Sequence, residues 1–351
     1  MKKTSTTTIG IDLGDEYSHV CILDDEGDVI EEGRMRTREE DFFRRFNGIE
    51  SALFVLEVGT HSPWVSRLLQ GLGHECLVAN PASLHRPGRK KSDRIDAEKL
   101  ARWGRSDRDL LEPVYHGSAD IQADMAIVHS RRALVEIRTK LINRCRGLVK
   151  SWGDRLPRCD ADYFAARVSP YVPPQLAPAI EPLLQTIALL TTQIKAFEVQ
   201  IKSLAATKYG QATGAMEQIT GVGPITSVTF VLTLRDPLRF RRSRHVGPYL
   251  GLTPRQDQSG ESDREHSISK AGNTYLRRLL VQCAHSVIER GPDSDLKRWG
   301  LAKSQGSKRA QRRAVVAVAR KLAVLMHHLW LTGDVYEPLR RKEVTPSLPT
   351  A

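Results

Sequence analysis

Thr8-Ile9-Gly10-Ile11-Asp12-Leu13-Gly14 and Leu53-Phe54-Val55-Leu56-Glu57-Val58-Gly59 are two apolar, strand-like runs, each with a carboxylate near its end. A third stretch, Lys91-Ser92-Asp93-Arg94-Ile95-Asp96-Ala97, reads as the start of a helix. Asp93 and Asp96 stand at i and i+3 in it, so they share one face. Carboxylates gathered in this way repel one another unless a hard cation lies between them. Mg2+ prefers such oxygen ligands, and paired Mg2+ ions are a common means of cutting phosphodiesters. Asp12, Glu57, Asp93 and Asp96 are therefore the expected catalytic and metal-ligating residues, with Mg2+ as the expected ion. Singly, each acid has a plainer reading as a turn cap, an exposed strand end or a partner for Lys90, Lys91 or Arg94. Their joint placement argues for one site.

The segments around these acids alternate strands with helices. Strands are expected over Thr7–Leu13, Ser18–Leu23, Val29–Arg36, Ala52–Glu57 and His74–Ala79. Thr37, with Glu40 in a capping box, starts a helix to about Asn47. Pro63 opens a second to about Leu72, and Ser92 caps a third from Asp93 to about Arg105. Asp15, Glu16, Asp24, Asp25 and Asp28 fall on turns and are not assigned to the metal. The order β-β-β-α-β-α-β-α is that of the ribonuclease H-like fold. In that fold the first strand, the fourth strand and the last helix carry their acids to one place.

The remainder of the chain is basic. Its 351 residues carry 53 Lys and Arg against 41 Asp and Glu, a net charge of +12, which favours a polyanionic partner such as DNA or RNA. Cys21, Cys76, Cys145, Cys159 and Cys283 are scattered without a CxxC pair. That argues against a zinc module or a disulfide framework, and for a reducing, cytoplasmic setting. No apolar signal core precedes Thr8. The longest apolar stretch, near Val315 to Trp330, is broken by Arg320, Lys321, His327 and His328, so no membrane span is expected.

From Ala119 to Lys150 the pattern is helical and basic, with Leu134, Ile137, Leu141, Cys145 and Leu148 on one stripe. A loop is expected over Trp152–Pro174. Ile180, Leu183, Ile187, Leu190, Ile194, Phe197, Ile201 and Leu204 then alternate by three and four, the spacing of a coiled-coil seam. The seam pairs either within the chain or with another protomer. Thr220-Gly221-Val222-Gly223-Pro224 reads as a helix-hairpin-helix turn near phosphate or as a plain tight turn. Helices follow over Asn273–Arg290, Asp293–Ser304 and Lys308–Leu331, and disorder is expected for Lys342–Ala351. The expected architecture is α/β plus α. It comprises a catalytic domain (1–117), a basic helix with a coiled-coil segment (118–209), a mainly helical C-terminal domain (210–335) and a tail (336–351).

Three basic clusters are candidate phosphate tracks. Arg131, Arg132, Arg138, Lys140 and Arg144 lie on the first long helix, with Arg241, Arg242 and Arg244 in a second group and Lys308, Arg309 and Arg312 in a third. Arg255 and Lys270 lie within, and Arg277 just beyond, a polar, glycine-punctuated strip, Gly251-Leu252-Thr253-Pro254-Arg255-Gln256-Asp257-Gln258-Ser259-Gly260 and Ser267-Ile268-Ser269-Lys270-Ala271-Gly272-Asn273. An aromatic content of 6% favours backbone recognition over base-stacking platforms.

The N-terminal Ile-Gly-Ile-Asp, Leu-Glu-Val-Gly and Lys-Ser-Asp-Arg-Ile-Asp-Ala resemble the RuvC-like Asp-Glu-Asp-Asp domain of the transposases of insertion-sequence family one-ten, related to Piv-type DNA invertases. The C-terminal Thr-Gly-Val-Gly-Pro, Gly-Leu-Thr-Pro-Arg, Ser-Gly and Ile-Ser-Lys-Ala-Gly-Asn resemble the same family's second domain, over roughly residues 7–332 in all. The resemblance implies a recombinase that excises and reinserts a mobile element, with Mg2+ on the acids. It also implies a serine nucleophile that forms a covalent link to DNA. That role falls on Ser259, with Ser267 and Ser269 in reserve. It further implies a structured bridge RNA pairing with donor and target DNA, and a homo-oligomer, dimer or tetramer, in which one protomer's acids face another's serine. A junction resolvase using water, an actin-like ATPase and a non-enzymatic nucleic-acid-binding protein are the rival readings. The family's Glu-Ala-Thr-Gly is Glu57-Val58-Gly59-Thr60 here, and its Lys-Thr-Asp is Lys91-Ser92-Asp93.

Overall fold

The structure, a computed structural model, describes residues 7–80, 93–106, 108, 111–259 and 262–340, without the side chains of 256–266. Ser92 and the tail Lys342–Ala351 lie outside the described residues. The chain forms two compact units, residues 1–120 and 121–351.

The first unit is built on a five-stranded mixed sheet. Strands β1 (Thr8–Asp12), β2 (Tyr17–Leu23) and β3 (Val29–Arg36) form an antiparallel meander, and β4 (Leu53–Glu57) and β5 (Glu75–Ala79) add parallel to β1 in the order β3-β2-β1-β4-β5. The two parallel additions pass through crossovers that contain helices α1 (Glu39–Phe46) and α2 (Ser62–Gly71). Period-two alternation divides the sheet's side chains. Ile9, Ile11, Val20, Phe54 and Leu56 bury against Phe42, Phe46, Val65 and Leu69 of α1 and α2. Cys21, Leu23 and Val55 face helix α3 (Asp93–Ser106) on the other side.

Small residues bring α3 unusually close to the sheet. A methyl group at Gly10 would stand 2.1 Å from the Ala97 carbonyl oxygen, and one at Gly104 would stand 2.2 Å from Val55 Cγ2. The far end of α3 is tied to the β2–β3 turn by Arg102, which donates to Gly27 O, and by Arg105, which donates to Asp24 O. Asp24 Oδ1 accepts from the backbone N–H groups of Glu26, Gly27 and Asp28, so it builds the turn.

Thr37 does not cap α1, contrary to the capping-box reading. Arg38 occupies the cap position without a side-chain bond, while the Thr37 hydroxyl donates to Gly14 O and bonds Ser18 Oγ. Fastening the end of β3 to the β1–β2 turn takes precedence over the cap.

The second unit is almost wholly helical. Helices α4 (Ala119–Ser151) and α6 (Ala177–Ala206) pair antiparallel within the chain. Arg131 bonds Glu198 and Arg138 bonds Thr191, so the contacts stay in step over two turns. The buried positions of α6 are Ile180, Leu184, Ile187, Thr191, Ile194, Ile201 and Ala205. Ile180, Ile187, Ile194 and Ile201 were expected there. Leu183, Leu190, Phe197 and Leu204 turn out half-exposed, and the neighbouring residues take their places. Buried Arg138 bonds Thr191, drawing that position inward, and this rotates the α6 seam. On α4 the stripe shifts likewise, to Val128, Arg138, Ile142, Cys145 and Val149, leaving Ile137 46% exposed. The segment expected as loop folds partly into helix α5 (Phe164–Val168), whose Phe164 and Val168 bury against the same hairpin.

The remaining helices are α7 (Gly210–Glu217), α8 (Pro224–Leu234), α9 (Val246–Tyr249), α10 (Thr274–Glu289), α11 (Asp295–Ser304) and α12 (Lys308–Thr332). Asn273, Ser294 and Ser307 cap α10, α11 and α12 with side-chain oxygens, and Gly333 closes α12 in the left-handed conformation. By length and composition α12 could cross a membrane. Its Val318, Leu322 and Met326 instead bury against Met216, Phe230 and Leu280 in the core of this unit. All five cysteines are free thiols.

Candidate active site and nucleic-acid surface

Asp12 and Glu57 end adjacent parallel strands, one step beyond the paired Ile11 and Leu56. They share strand faces with Gly10 and Val55, the residues that α3 touches, so both face that helix. Asp93 and Asp96 occupy its first turn. There the positive end of the helix dipole offsets part of their mutual repulsion. The convergence shows in Asp12, whose carboxyl is pushed up to about 6 by burial, then by the charges of Asp93, Asp96 and Glu57. Asp96 Oδ1 accepts from Lys99 Nζ at 2.6 Å, and Asp93 lies 3.9 Å from His19 Nδ1. Among the described residues no three His, Cys, Asp or Glu side chains stand in the ligand geometry of a single ion. The donor set nevertheless suits a hard divalent cation: four carboxylates and no thiolate.

His19 is the neighbour that sequence reading missed. It pairs with Asp12 across β1 and β2 and partly offsets the acids' charge at Asp12. Its signal was the antiparallel register, which places the two side chains on one face.

The polar strip forms a hairpin of β6 (Pro254–Ser259) and β7 (Ser262–Ile268), with Ser259 opposite Ser262 at the end of the ladder. The Ser259 side chain lies outside the described residues. Ser267, near the end of β7, and Ser269, just beyond it, are exposed. The base of the hairpin is a tight back-to-back packing of two turns. Gly251 (φ 64°) and Gly272 (φ 66°) are left-handed, and a methyl at either would meet backbone, Ala271 N at 2.3 Å or Tyr249 O at 2.2 Å.

The basic candidates separate by environment. Arg277 is buried, and its Nη1 donates to the carbonyls of Leu250 and Ala271, which fastens the two turns together. Arg138 is buried on Thr191 and Asp162, and Arg131 is paired with Glu198. Arg132 pairs with Glu136 and lies over the Tyr275 ring. In this fold Arg138, Arg277 and, to a lesser degree, Arg131 and Arg132 hold the unit together rather than line an open track. An arginine on a helix stripe reads the same in sequence whether it faces water or a neighbouring helix. Lys140, Arg144, Arg241, Arg242, Arg244, Arg255, Lys270, Lys308, Arg309 and Arg312 are exposed.

Carboxylates at the C-terminal ends of β1 and β4 and at the start of α3 are the donor type used in metal-assisted chemistry on phosphodiesters. Residues 9–152 match a transposase domain of the Asp-Glu-Asp-Asp type, and residues 214–298 match the family described as "Transposase IS116/IS110/IS902 family". The chain belongs to this family of insertion-sequence transposases, enzymes of DNA strand transfer. A transposase for insertion sequence element IS1111A of Coxiella burnetii is 26% identical, covering 93% of this chain and 90% of its own. A relative in Sinorhizobium fredii is 31% identical over 81% of this chain and 78% of its own. The pilin gene-inverting protein of Moraxella bovis is 20% identical over 92% of this chain and 95% of its own.

Proposed function

We propose that the first unit is a RuvC-like catalytic domain in which Asp12, Glu57, Asp93 and Asp96 hold Mg2+, and that Ser259 is the nucleophile of a site-specific recombinase. The observation that supports the metal assignment is the gathering of Asp93, Asp96 and Glu57 around Asp12, whose carboxyl is pushed up to about 6 by burial first and then by these three charges. A protein gains nothing from unrelieved repulsion of this kind unless a cation enters it. When bound, the ion supplies Lewis-acid stabilisation of charge on the scissile phosphate.

The chain's own groups do the rest. Ser259 Oγ forms a bond to phosphorus while one P–O bond to deoxyribose breaks. The hydroxyl proton passes, overall, to the departing oxygen. The serine phosphodiester keeps the bond energy, so the strand can be joined to a new partner without ATP. A free hydroxyl end, reversing the step, returns the proton to Ser259. The acids and Ser259 belong to different compact units. The family resemblance implies that one protomer's acids serve another's serine in a dimer or tetramer. It also implies that a structured bridge RNA selects donor and target DNA by base pairing, leaving the protein to read backbone and shape. The division into domains at 1–117, 118–209, 210–335 and 336–351 belongs to the same reading.

The test is excision in cells carrying the gene with its native flanking DNA, read by sequencing circular junctions. Wild type is expected to give circles, and Asp12→Ala and Ser259→Ala none at equal expression. Circles from Ser259→Ala would transfer the role to Ser267, Ser269 or water. Circles from Asp12→Ala would remove the metal assignment.

A further inference from the structure

The geometry points to Leu238 as an apolar wedge that enters a base step of duplex DNA from an arginine-rich loop. This inference rests on the DNA-handling reading above and gives that surface a specific action.

Leu238 follows α8 in the segment Asp236-Pro237-Leu238-Arg239-Phe240-Arg241-Arg242-Ser243-Arg244, and its side chain is 78% exposed. An exposed leucine alone is ordinary. The loop that presents this one is not, because it is fixed at both ends. Asp236 Oδ1 accepts from Leu238 N at 2.8 Å and sets the turn. His327, fully buried on α12, reaches both sides of the loop, with Nε2 3.0 Å from Pro237 O and Nδ1 3.0 Å from Ser243 Oγ. Pro237 O can only accept, so Nε2 carries the hydrogen and Nδ1 accepts from the serine hydroxyl. The Phe240 ring packs edge-on against His327 at 5.4 Å and against Tyr249 at 5.1 Å.

Beside this held leucine, Arg241, Arg242 and Arg244 are exposed. No hydrogen bond or ion pair engages their guanidinium groups among the described residues. An exposed leucine followed within six residues by three exposed arginines does not suit a protein groove, which needs a contiguous apolar patch. It suits a polyanion with a gap that admits one apolar group. Duplex DNA offers this at flexible pyrimidine–purine steps, where leucine wedges unstack bases and arginines hold the flanking phosphates. A rigid loop is required, because a mobile leucine would fold back rather than bear the cost of unstacking.

The experiment uses the full chain and a duplex carrying 2-aminopurine at a central TA step. Fluorescence reports unstacking, and anisotropy titrated against salt reports binding. Wild type is expected to bind with strong salt dependence and to raise the 2-aminopurine signal. Leu238→Ala should keep affinity within about threefold but lose most of the unstacking signal, and Leu238→Phe should restore it. Arg241→Ala with Arg242→Ala should lower the salt slope by about two. Equal unstacking by wild type and Leu238→Ala overturns the wedge while leaving DNA binding intact. Absence of any salt-dependent duplex binding by wild type removes the DNA-handling reading of this surface with it. Leu238-dependent binding to vesicles containing anionic lipid, or Leu238-dependent self-association, without duplex unstacking would assign the loop to another partner and overturn the proposal.

Discussion

Arg138 of α4 donates to the Thr191 hydroxyl of α6 at 3.1 Å and to Asp162 at 2.7 Å, from a position only 8% exposed. Its Nε has no hydrogen-bond partner among the described residues. A residue that reads as a phosphate contact is thus the polar centre of an intramolecular helical hairpin. Arg138→Ala is expected to cost about 2–3 kcal/mol, because it removes the bonds to Thr191 and Asp162 and opens a cavity, although the Thr191 hydroxyl keeps its own bond to Ile187 O. Nucleic-acid affinity of the folded protein should be unchanged. Thermal unfolding together with anisotropy binding checks this, and a binding loss without destabilisation would return Arg138 to the interface.

Asp12 gives a pH signature. Its pKa in the folded chain is about 6, above the ordinary 3.8 expected unfolded. The stability that this acid contributes is fully present below the unfolded value and is lost as pH rises through about 6. Asp12→Asn should therefore raise the melting temperature in metal-free buffer at pH 7.5, and the gain should vanish near pH 4. Mg2+ should stabilise wild type more than Asp12→Asn at pH 7.5. A gain that is constant across pH would show that the buried, crowded charge of Asp12 is not its source.

Gly10→Ala should fail for a steric reason. The added methyl would meet the Ala97 carbonyl oxygen at 2.1 Å, and backbone on both sides leaves it nowhere to go. A destabilisation of about 3 kcal/mol is expected, with loss of excision wherever the protein still folds, since α3 must lift and carry Asp93 and Asp96 away from Asp12. Normal melting and normal excision in the variant would disprove the close seam.

Lys308 and Arg309 lie in the first turn of α12, where the helix dipole disfavours cations. Lys308→Gln with Arg309→Gln should raise stability by about 0.3–1 kcal/mol per residue and lower the salt slope of nucleic-acid binding by about two. Destabilisation with unchanged binding would show that these charges serve the fold.

Much of the first unit could be read from the chain because its signals are local. Apolar alternation located the strands, and turn residues such as Asp24 located their ends. What escaped were choices made by tertiary partners. The Thr37 hydroxyl bonds across strands rather than capping α1, and the α6 seam rotates toward Arg138. His19 joined the acids only through strand register. The burial of Arg277 depends on a backbone-to-backbone packing that Gly251 and Gly272 permit, and residue spacing alone did not reveal which of the basic side chains would turn inward.

The glycine and alanine seam between β1 and α3 has one more effect. The strand acids and the helix acids ride on two backbones in direct contact, so their separation is machined to the thickness of a peptide group and no longer side chain sits between them as a cushion. When the charges push apart, neither backbone can give way. The charge crowding therefore stays at the strand ends, where Asp12 records it.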